Sequence, residues 1–202
     1  MSSFITTLDD LHALYGTPPE AARIKVVPGL TPGYRAHVER ARFCVLTTVG
    51  PEGTDASPRG DDGPVVRVTG TRQLMMPDWK GNERIDSLRN IVRDGRVSLM
   101  FLNSGSNTVM RVNGRARLTA DADLRDSFAR DGRAPRTVII IDIDEVYPQC
   151  ARALMRAQLW TGGDMSAGLP GIGALLAEVA GDDFDGAAYD AAWPARAQVS
   201  MW

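Results

Sequence analysis

The stretch LMMPDWKGNERIDSLRN, residues 74–90, joins a short apolar strand to a helix, and it is the part of the sequence that decides the fold. Its apolar start, bounded by Pro and Gly, is typical of a buried strand. Ile85, Leu88 and Val92 then recur at helical spacing and predict a helix with an apolar face packed inward. Asn82 is the predicted cap of this helix, so the polar first turn is expected to remain free.

The polar start of the predicted helix suits a dianionic phosphate. The free N–H groups of a first turn and the positive end of the helix dipole favour an anion. Lys80 and Arg84 supply the formal positive charge, with Asn82 and Ser87 beside them. An ordinary capped surface helix with solvated charges explains the same residues, since charged first turns are common. The stretch alone therefore leaves both interpretations open.

Length and composition limit the possible functions. The chain has 202 residues, 44% hydrophobic and 24% charged, which predicts one globular domain with terminal extensions. Its formal net charge of -2 gives no reason to expect nucleic acid or an anionic membrane as a partner. Apolar runs stay well below the roughly 20 residues of a membrane span, and the first residues do not resemble a secretory signal. A cytoplasmic location is expected.

Three parts of the chain differ in pattern. Residues 1–41 are predicted to form a helical extension, with Thr7 and Thr31 as helix caps. Residues 42–160 carry the strand patterns and are predicted to form the main domain. Residues 161–202 contain a helix and an alanine-rich tail, which is expected to pack on the barrel or on a second subunit.

The alternation of apolar residues in the main domain predicts a mainly β fold with flanking helices. The predicted strands cover residues 43–49, 54–57, 65–69, 72–76, 96–102, 108–120 and 137–146. Helices are predicted at residues 121–129, 150–159 and 172–179. Sequential hairpins interrupted by one helix after the fourth strand favour an antiparallel barrel of six to seven strands over a doubly wound parallel sheet.

The usual catalytic signatures are absent from the sequence, which contains no P-loop, zinc-protease motif or nucleophile elbow. His12 and His37 fall in the N-terminal helices without partners at ligand spacing, so neither a metal site nor histidine catalysis is expected. Cys44 and Cys150 are predicted to be buried thiols. No residue can be assigned a catalytic role from the sequence.

Cationic residues spread over the barrel ends remain as candidates for ligand binding. Each one alone is more often a solvated surface residue. Together they would suit a ligand with a phosphate at one end and a flat hydrogen-bonding ring at the other. FMN is such a ligand, and it carries its own hydride chemistry, so the protein would need no catalytic base.

Four ordered motifs carry a resemblance to a known family. They are CVLTT (residues 44–48), SPRGD (57–61), the stretch from residue 74 to 91, and MRVNGRA (110–116). In these motifs the chain resembles the pyridoxamine 5'-phosphate oxidase-like FMN-binding proteins, over residues 42–160. The resemblance implies a split β-barrel of the flavin reductase and FMN-binding type. It also implies a homodimer with FMN in two clefts at the subunit interface.

The resemblance also implies which residues bind the cofactor: Arg59, Val65, Arg67, Met76, Pro77, Asp78, Lys80, Asn82, Arg84, Ser87, Thr108 and Arg111. The strand from residue 65 to 68 and residues 76–78 would lie along the flavin ring. The phosphate would be held by Lys80, Asn82, Arg84 and Ser87, with help from Arg59. Thr108 and Arg111 would reach the flavin of the partner subunit.

The chain departs from the family pattern in places that bear on activity. Arg152 stands where lysine is usual, and Ala157 stands where serine is usual. The residues that bind pyridoxine in the true oxidases have no clear match, so synthesis of pyridoxal phosphate is not predicted. The resemblance implies an FMN-dependent oxidoreductase that works with a nicotinamide or another small molecule. The alternatives are a non-catalytic flavin-binding or storage protein, a deazaflavin- or haem-binding barrel, or a barrel homodimer whose arginines are only solvated.

Overall fold

The computed structural model describes residues 4–201, and Trp202 therefore lies outside the described residues. Helices and strands follow one another as α1 (Leu8–Leu14), α2 (Glu20–Ile24), α3 (Pro32–Arg40), β1 (Phe43–Gly50), β2 (Gly53–Gly60), β3 (Arg67–Val68), β4 (Gln73–Asp78), α4 (Asp86–Arg93), β5 (Arg96–Leu102), β6 (Val109–Thr119), α5 (Ala122–Asp126), β7 (Thr137–Gln149), α6 (Arg152–Arg156), α7 (Ile172–Ala180) and α8 (Gly186–Ser200). No helix within residues 4–201 is long and apolar enough to cross a membrane.

The seven strands form one sheet in the order β2-β1-β5-β6-β7-β4-β3, and all neighbours are antiparallel. β2 lies at one edge of this order and β4 lies next to the other edge. Arg59 on β2 and Asp78 on β4 are nevertheless joined by an ion pair of 2.5 Å. The sheet must therefore curl until its two edges approach each other. The prediction of a mainly β, antiparallel split barrel is confirmed.

The interior of the barrel is apolar because alternate residues of each strand point inward. Leu46 on β1, Leu99 and Phe101 on β5, and Ile141 on β7 are fully buried in one cluster. Cys44 lies in the same cluster, and burial raises the pKa of its thiol to about 12. The prediction of a buried thiol is confirmed for Cys44. It is wrong for Cys150, which is exposed just after β7 ends.

β6 and β7 form the longest pair of strands, and a register shift interrupts the pair between Asn113 and Gly114. A β-carbon at position 114 would lie only 2.1 Å from the carbonyl oxygen of Asp142. Only glycine allows the two backbones to approach this closely. Gly114 is therefore the residue that permits this irregularity in the strand pairing.

α4 differs from its prediction in both its start and its inward face. The helix begins at Asp86, directly after Ile85, which has a left-handed conformation (φ 44°). Asn82 does not cap the helix, because its side-chain oxygen accepts a hydrogen bond from the N–H of Arg84. Ile85 and Val92 are 47% and 74% exposed, whereas Ser87 and Asn90 are buried. The predicted apolar face is wrong at these two positions, whereas the predicted Leu88 packs against the core. Ile91 is buried in the core cluster beside the polar Ser87 and Asn90, so α4 packs on the sheet through both apolar and polar side chains.

Other boundaries shift where strand pairing overrides local patterns. β2 continues through Pro58 to Gly60, residues predicted as a loop, because this edge strand pairs with β1 over its whole length. β3 is shorter than predicted, since the N–H of Val65 bonds to the carbonyl of Ala41 and not to β4. α5 and α6 are also shorter than predicted, and α2 was not predicted.

The C-terminal tail is a helix, contrary to the sequence prediction. α8 packs against α7, and the two backbones touch at Gly173 and Gly186, where a β-carbon on Gly173 would lie 2.0 Å from the carbonyl oxygen of Gly186. Trp193 on α8 is half exposed, and the guanidinium of Arg196 lies 5.1 Å from its ring centroid. The alanine-rich composition fits this helix better than a loop.

Candidate functional site

A cavity of about 500 Å³ opens between the end of β2, the end of β4 and the loop that leads to α4. Its volume lies within the range of small-molecule sites. Four cationic side chains line it: Arg59, Lys80, Arg84 and Arg136. We call this the cationic cavity. Barrel closure creates it, because it brings β2 and β4 together from opposite sides of the sheet order.

Most cations of the cationic cavity are already paired with carboxylates. Arg84 lies 2.6 Å from Asp86, and Arg136 lies 2.7 Å from Glu83. The hydrogen bond and charge of Asp86 raise the pKa of Arg84. Lys80 is exposed and makes no ion pair with any described residue. An anion entering the cavity would therefore meet Lys80 directly and would compete with carboxylates for the arginines.

Ser87 occupies a different environment from the one predicted for it. Its hydroxyl donates to Asp55 at 2.5 Å and lies 3.1 Å from the hydroxyl of Ser57, which in turn accepts a hydrogen bond from Arg59. Ser87 is only 4% exposed. In this arrangement the Ser87 hydroxyl fixes α4 to β2, and its hydrogen-bonding capacity is used within the protein.

Thr137 gives the cationic cavity a polar atom without a partner. The residue lines the cavity, and its Oγ1 is shielded from solvent without a hydrogen-bond partner among the described residues. Leaving a buried hydroxyl unsatisfied costs about 1–3 kcal/mol. Because this oxygen has almost no accessible surface, a ligand atom would contact it only after the side chain rotates toward the cavity. The four cationic side chains are what suit the cavity to a negatively charged group.

A second, smaller cavity of about 240 Å³ continues from the first along the barrel end. Val65, Met76 and Pro77 form its apolar wall, and all three are buried or nearly so. Arg59 lines both cavities, and Met201 approaches the smaller one from the C-terminal segment. The residues predicted to lie along a flat ring and those predicted to bind a phosphate are therefore neighbours.

Arg67 is separated from the cationic cavity. Its guanidinium lies 3.7 Å from the ring centroid of Phe128 and donates to the hydroxyl and the carbonyl of Ser127. Arg67 thus faces the connection between β6 and β7. It lines a different cavity, which shares Pro77 and Trp79 with the smaller cavity. It does not meet the predicted phosphate residues.

Thr108 and Arg111 also lie apart from the cationic cavity. They lie at or just before the start of β6, which pairs with the C-terminal end of β7, whereas the cavity residue Thr137 is at the opposite end of β7. The N–H of Thr108 donates to Ser106, and Arg111 lies 5.3 Å from the ring centroid of Tyr147. One copy of the chain does not bring these two residues to the other predicted site residues.

Sequence reasoning missed several residues of the cationic cavity. Arg136 and Thr137 enter it because β7 pairs with β4, with Thr137 opposite Asp78. This pairing joins segments about sixty residues apart, and local patterns do not reveal it. Trp79 lies within the opening stretch and could have been noticed, since it directly precedes Lys80. Within residues 4–201, no group of three His, Cys, Asp or Glu residues is placed to hold a metal ion.

Comparison with known proteins gives one sequence-level match. The family model described as Pyridoxamine 5'-phosphate oxidase matches residues 30–150, more than half of the chain. No curated protein matches the sequence.

Several solved structures are similar at low identity. HupZ from Group A Streptococcus is 13% identical with a TM-score of 0.49, covering 60% of this chain and 94% of its own. A proposed pyridoxamine 5'-phosphate oxidase from Lactobacillus delbrueckii is 22% identical with a TM-score of 0.49, covering 60% and 95%. An FMN-binding protein from Syntrophomonas wolfei is 14% identical with a TM-score of 0.43, covering 56% and 86%.

Proposed function

The chain belongs to the pyridoxamine 5'-phosphate oxidase family, and from this premise we propose that it binds FMN at the barrel end and acts as an oxidoreductase. The observation that carries the proposal is the cationic cavity, where Arg59, Lys80 and Arg84 surround a space that adjoins the apolar wall of the smaller cavity. When bound, FMN supplies hydride or electron transfer. The protein then needs to bind and orient it, and needs no catalytic base.

Charge distribution favours one orientation of the cofactor, with the phosphate in the cationic cavity. Lys80, which has no ion pair with the described residues, would stabilise a phosphate dianion by its charge, and the guanidinium groups of the lining arginines would donate hydrogen bonds to it. The smaller cavity offers the buried, apolar surface of Val65 and Met76, which suits a flat ring. We therefore expect the phosphate at Lys80 and Arg84 and the ring toward Val65 and Met76. Ser87 would act indirectly, by holding α4 against β2.

A second copy of the chain would complete the site. Thr108 and Arg111 are part of the proposal only in a homodimer, since one copy keeps them away from the cationic cavity. Mixing two inactive variants tests this requirement. A Lys80→Ala, Arg84→Ala chain and an Arg111→Ala chain should regain FMN binding at some sites when unfolded and refolded together. Sites each built from a single chain would show no such recovery.

The phosphate assignment is tested by comparing FMN with riboflavin, which lacks the phosphate. The double substitution Lys80→Ala, Arg84→Ala should weaken FMN by about tenfold or more, because it removes two charged donors, and should leave riboflavin nearly unchanged. Arg93→Ala, Arg96→Ala removes the same charge at the end of α4 and the start of β5 and serves as the control. Equal losses for both ligands would contradict the assignment, and failure of the native protein to bind FMN would overturn the proposed function.

The alternatives predict different behaviour of the purified protein. A flavin-binding or storage protein would bind FMN, but anaerobic NADH or NADPH would not bleach it, whereas an oxidoreductase using a nicotinamide would be bleached. A deazaflavin- or haem-binding barrel would copurify with a ligand of another mass and absorbance. The identity of a copurifying ligand, established by mass spectrometry, therefore separates these functions.

A further inference from the structure

A third cavity, of about 480 Å³, lies on the other side of Trp79 from the cationic cavity. Its walls include the apolar side chains of Val66, Pro77, Trp79 and Phe128, and Arg67 lies at its margin. We call it the Trp79–Phe128 cavity. Mainly apolar walls with a few placed polar groups are typical of small-molecule sites.

Trp79 is held firmly as a wall of this cavity. Its indole N–H donates to Asp61 at 2.9 Å, and Arg130 binds the other oxygen of that carboxylate at 2.6 Å. The side chain of Asp61 is only 3% exposed. A buried carboxylate paired with a guanidinium and an indole N–H keeps a fixed geometry. These contacts hold the indole ring of Trp79 in the wall of the cavity.

Arg67 is the cation of this cavity that lacks a carboxylate partner among the described residues. The two acids that line the cavity are already neutralised, Asp61 by Arg130 and Glu39 by Arg35 at 2.8 Å. Arg67 instead donates to Ser127 and stacks on Phe128, which fixes its guanidinium plane. Its remaining N–H groups can donate to a bound anion, and a planar guanidinium matches a carboxylate with two parallel hydrogen bonds.

We propose that the Trp79–Phe128 cavity binds a flat molecule that carries a carboxylate. Arg67 would bind the carboxylate, and Trp79 and Phe128 would contact the flat part. Because Trp79 and Pro77 also line the smaller cavity, such a molecule would lie next to the cofactor. Its role as the reaction partner of FMN rests on the proposed function, whereas its binding does not.

Benzoate and benzamide form a matched pair of probes, since both are flat and only benzoate is charged. Titration calorimetry with the full chain should detect benzoate binding and much weaker benzamide binding. Arg67→Met keeps most of the side-chain length and removes the charge, so it should weaken benzoate about tenfold or more. Arg115→Met removes the same charge from an exposed position on β6 and should leave benzoate unchanged.

The outcomes separate this inference from the proposed function. Equal affinity for benzoate and benzamide, or unchanged benzoate affinity in Arg67→Met, would overturn the inference even if FMN binds normally. Competition between benzoate and FMN would also overturn it, because the cavity would then belong to the cofactor. Benzoate binding that depends on Arg67 in a protein that binds no FMN would support the cavity and overturn the proposed function.

Discussion

The barrel interior and the segment from β4 to α4 lie side by side but are held by different forces. In the interior, Leu46, Leu99 and Phe101 are fully buried in one apolar cluster. In the other region, α4 buries Ile91 against this cluster, but it also rests on β1 and β2 through the polar side chains of Ser87 and Asn90. Asn90 donates to the fully buried hydroxyl of Thr48 at 3.1 Å.

This difference follows from what each region has to do. Apolar burial stabilises strongly and without direction, so it suits a rigid barrel. Hydrogen bonds and ion pairs contribute less net stability, but they place donors and charges at defined positions. The loop before α4 holds Glu83 and Ile85 at positive φ, a conformation uncommon for residues other than glycine. In the region that carries the candidate site, the polar contacts therefore fix the positions of donors and charges and add less to stability.

The largest effect is expected in the interior. Phe101→Ala removes a fully buried aromatic ring from the central cluster, so the free energy of unfolding should fall by about 3–5 kcal/mol. Chemical denaturation measures this change. Val92→Ala on α4 is the matched control, because Val92 is largely exposed, and it should change stability by less than about 0.5 kcal/mol. Similar losses in the two variants would mean that the two regions do not differ as described.

A smaller effect is expected at the polar contact between α4 and β1. Thr48→Val or Asn90→Leu alone leaves one buried polar group unsatisfied and should cost about 1–3 kcal/mol. The double variant removes both partners with little change in shape, so it should cost clearly less than the sum. Denaturant unfolding of the four proteins gives the coupling energy. Strict additivity would show that the hydrogen bond does not stabilise the docking of α4.

The same contrast explains how much the sequence could predict. The barrel strands were predictable, because alternation along β1, β5 and β7 reflects burial directly. The inward face of α4 was predictable only in part, since periodicity counts apolar residues and cannot identify Ser87 and Asn90 as buried beside Ile91. The position of the Asn90 side chain also explains why residue 50 is glycine, since a β-carbon there would lie 2.0 Å from the Asn90 side-chain oxygen. Such contacts between distant residues leave no local pattern.

The candidate site was predictable to a similar, partial extent. The local stretch predicted Lys80 and Arg84, which do line the cationic cavity. It could not predict that Arg136 and Thr137 would join them, since this depends on the pairing of β4 with β7. It also could not predict that most of the arginines would be paired with carboxylates, because those pairs form only after the loop takes its shape.

The smallest effect is expected at one of those pairs, where stability and binding should separate. Asp86 holds Arg84 by a hydrogen bond of 2.6 Å and places a negative charge beside the proposed phosphate position. Asp86→Asn should therefore strengthen FMN binding about two- to fivefold, an effect typical of one exposed ion pair, and leave riboflavin binding unchanged. The unfolding midpoint should fall slightly, because Asp86 is the first residue of α4 and also pairs with Arg89. Asp123→Asn on α5 removes the same charge far from Arg84 and should change neither ligand. Weaker FMN binding in Asp86→Asn would mean that this carboxylate orients Arg84 toward the phosphate instead of competing with it.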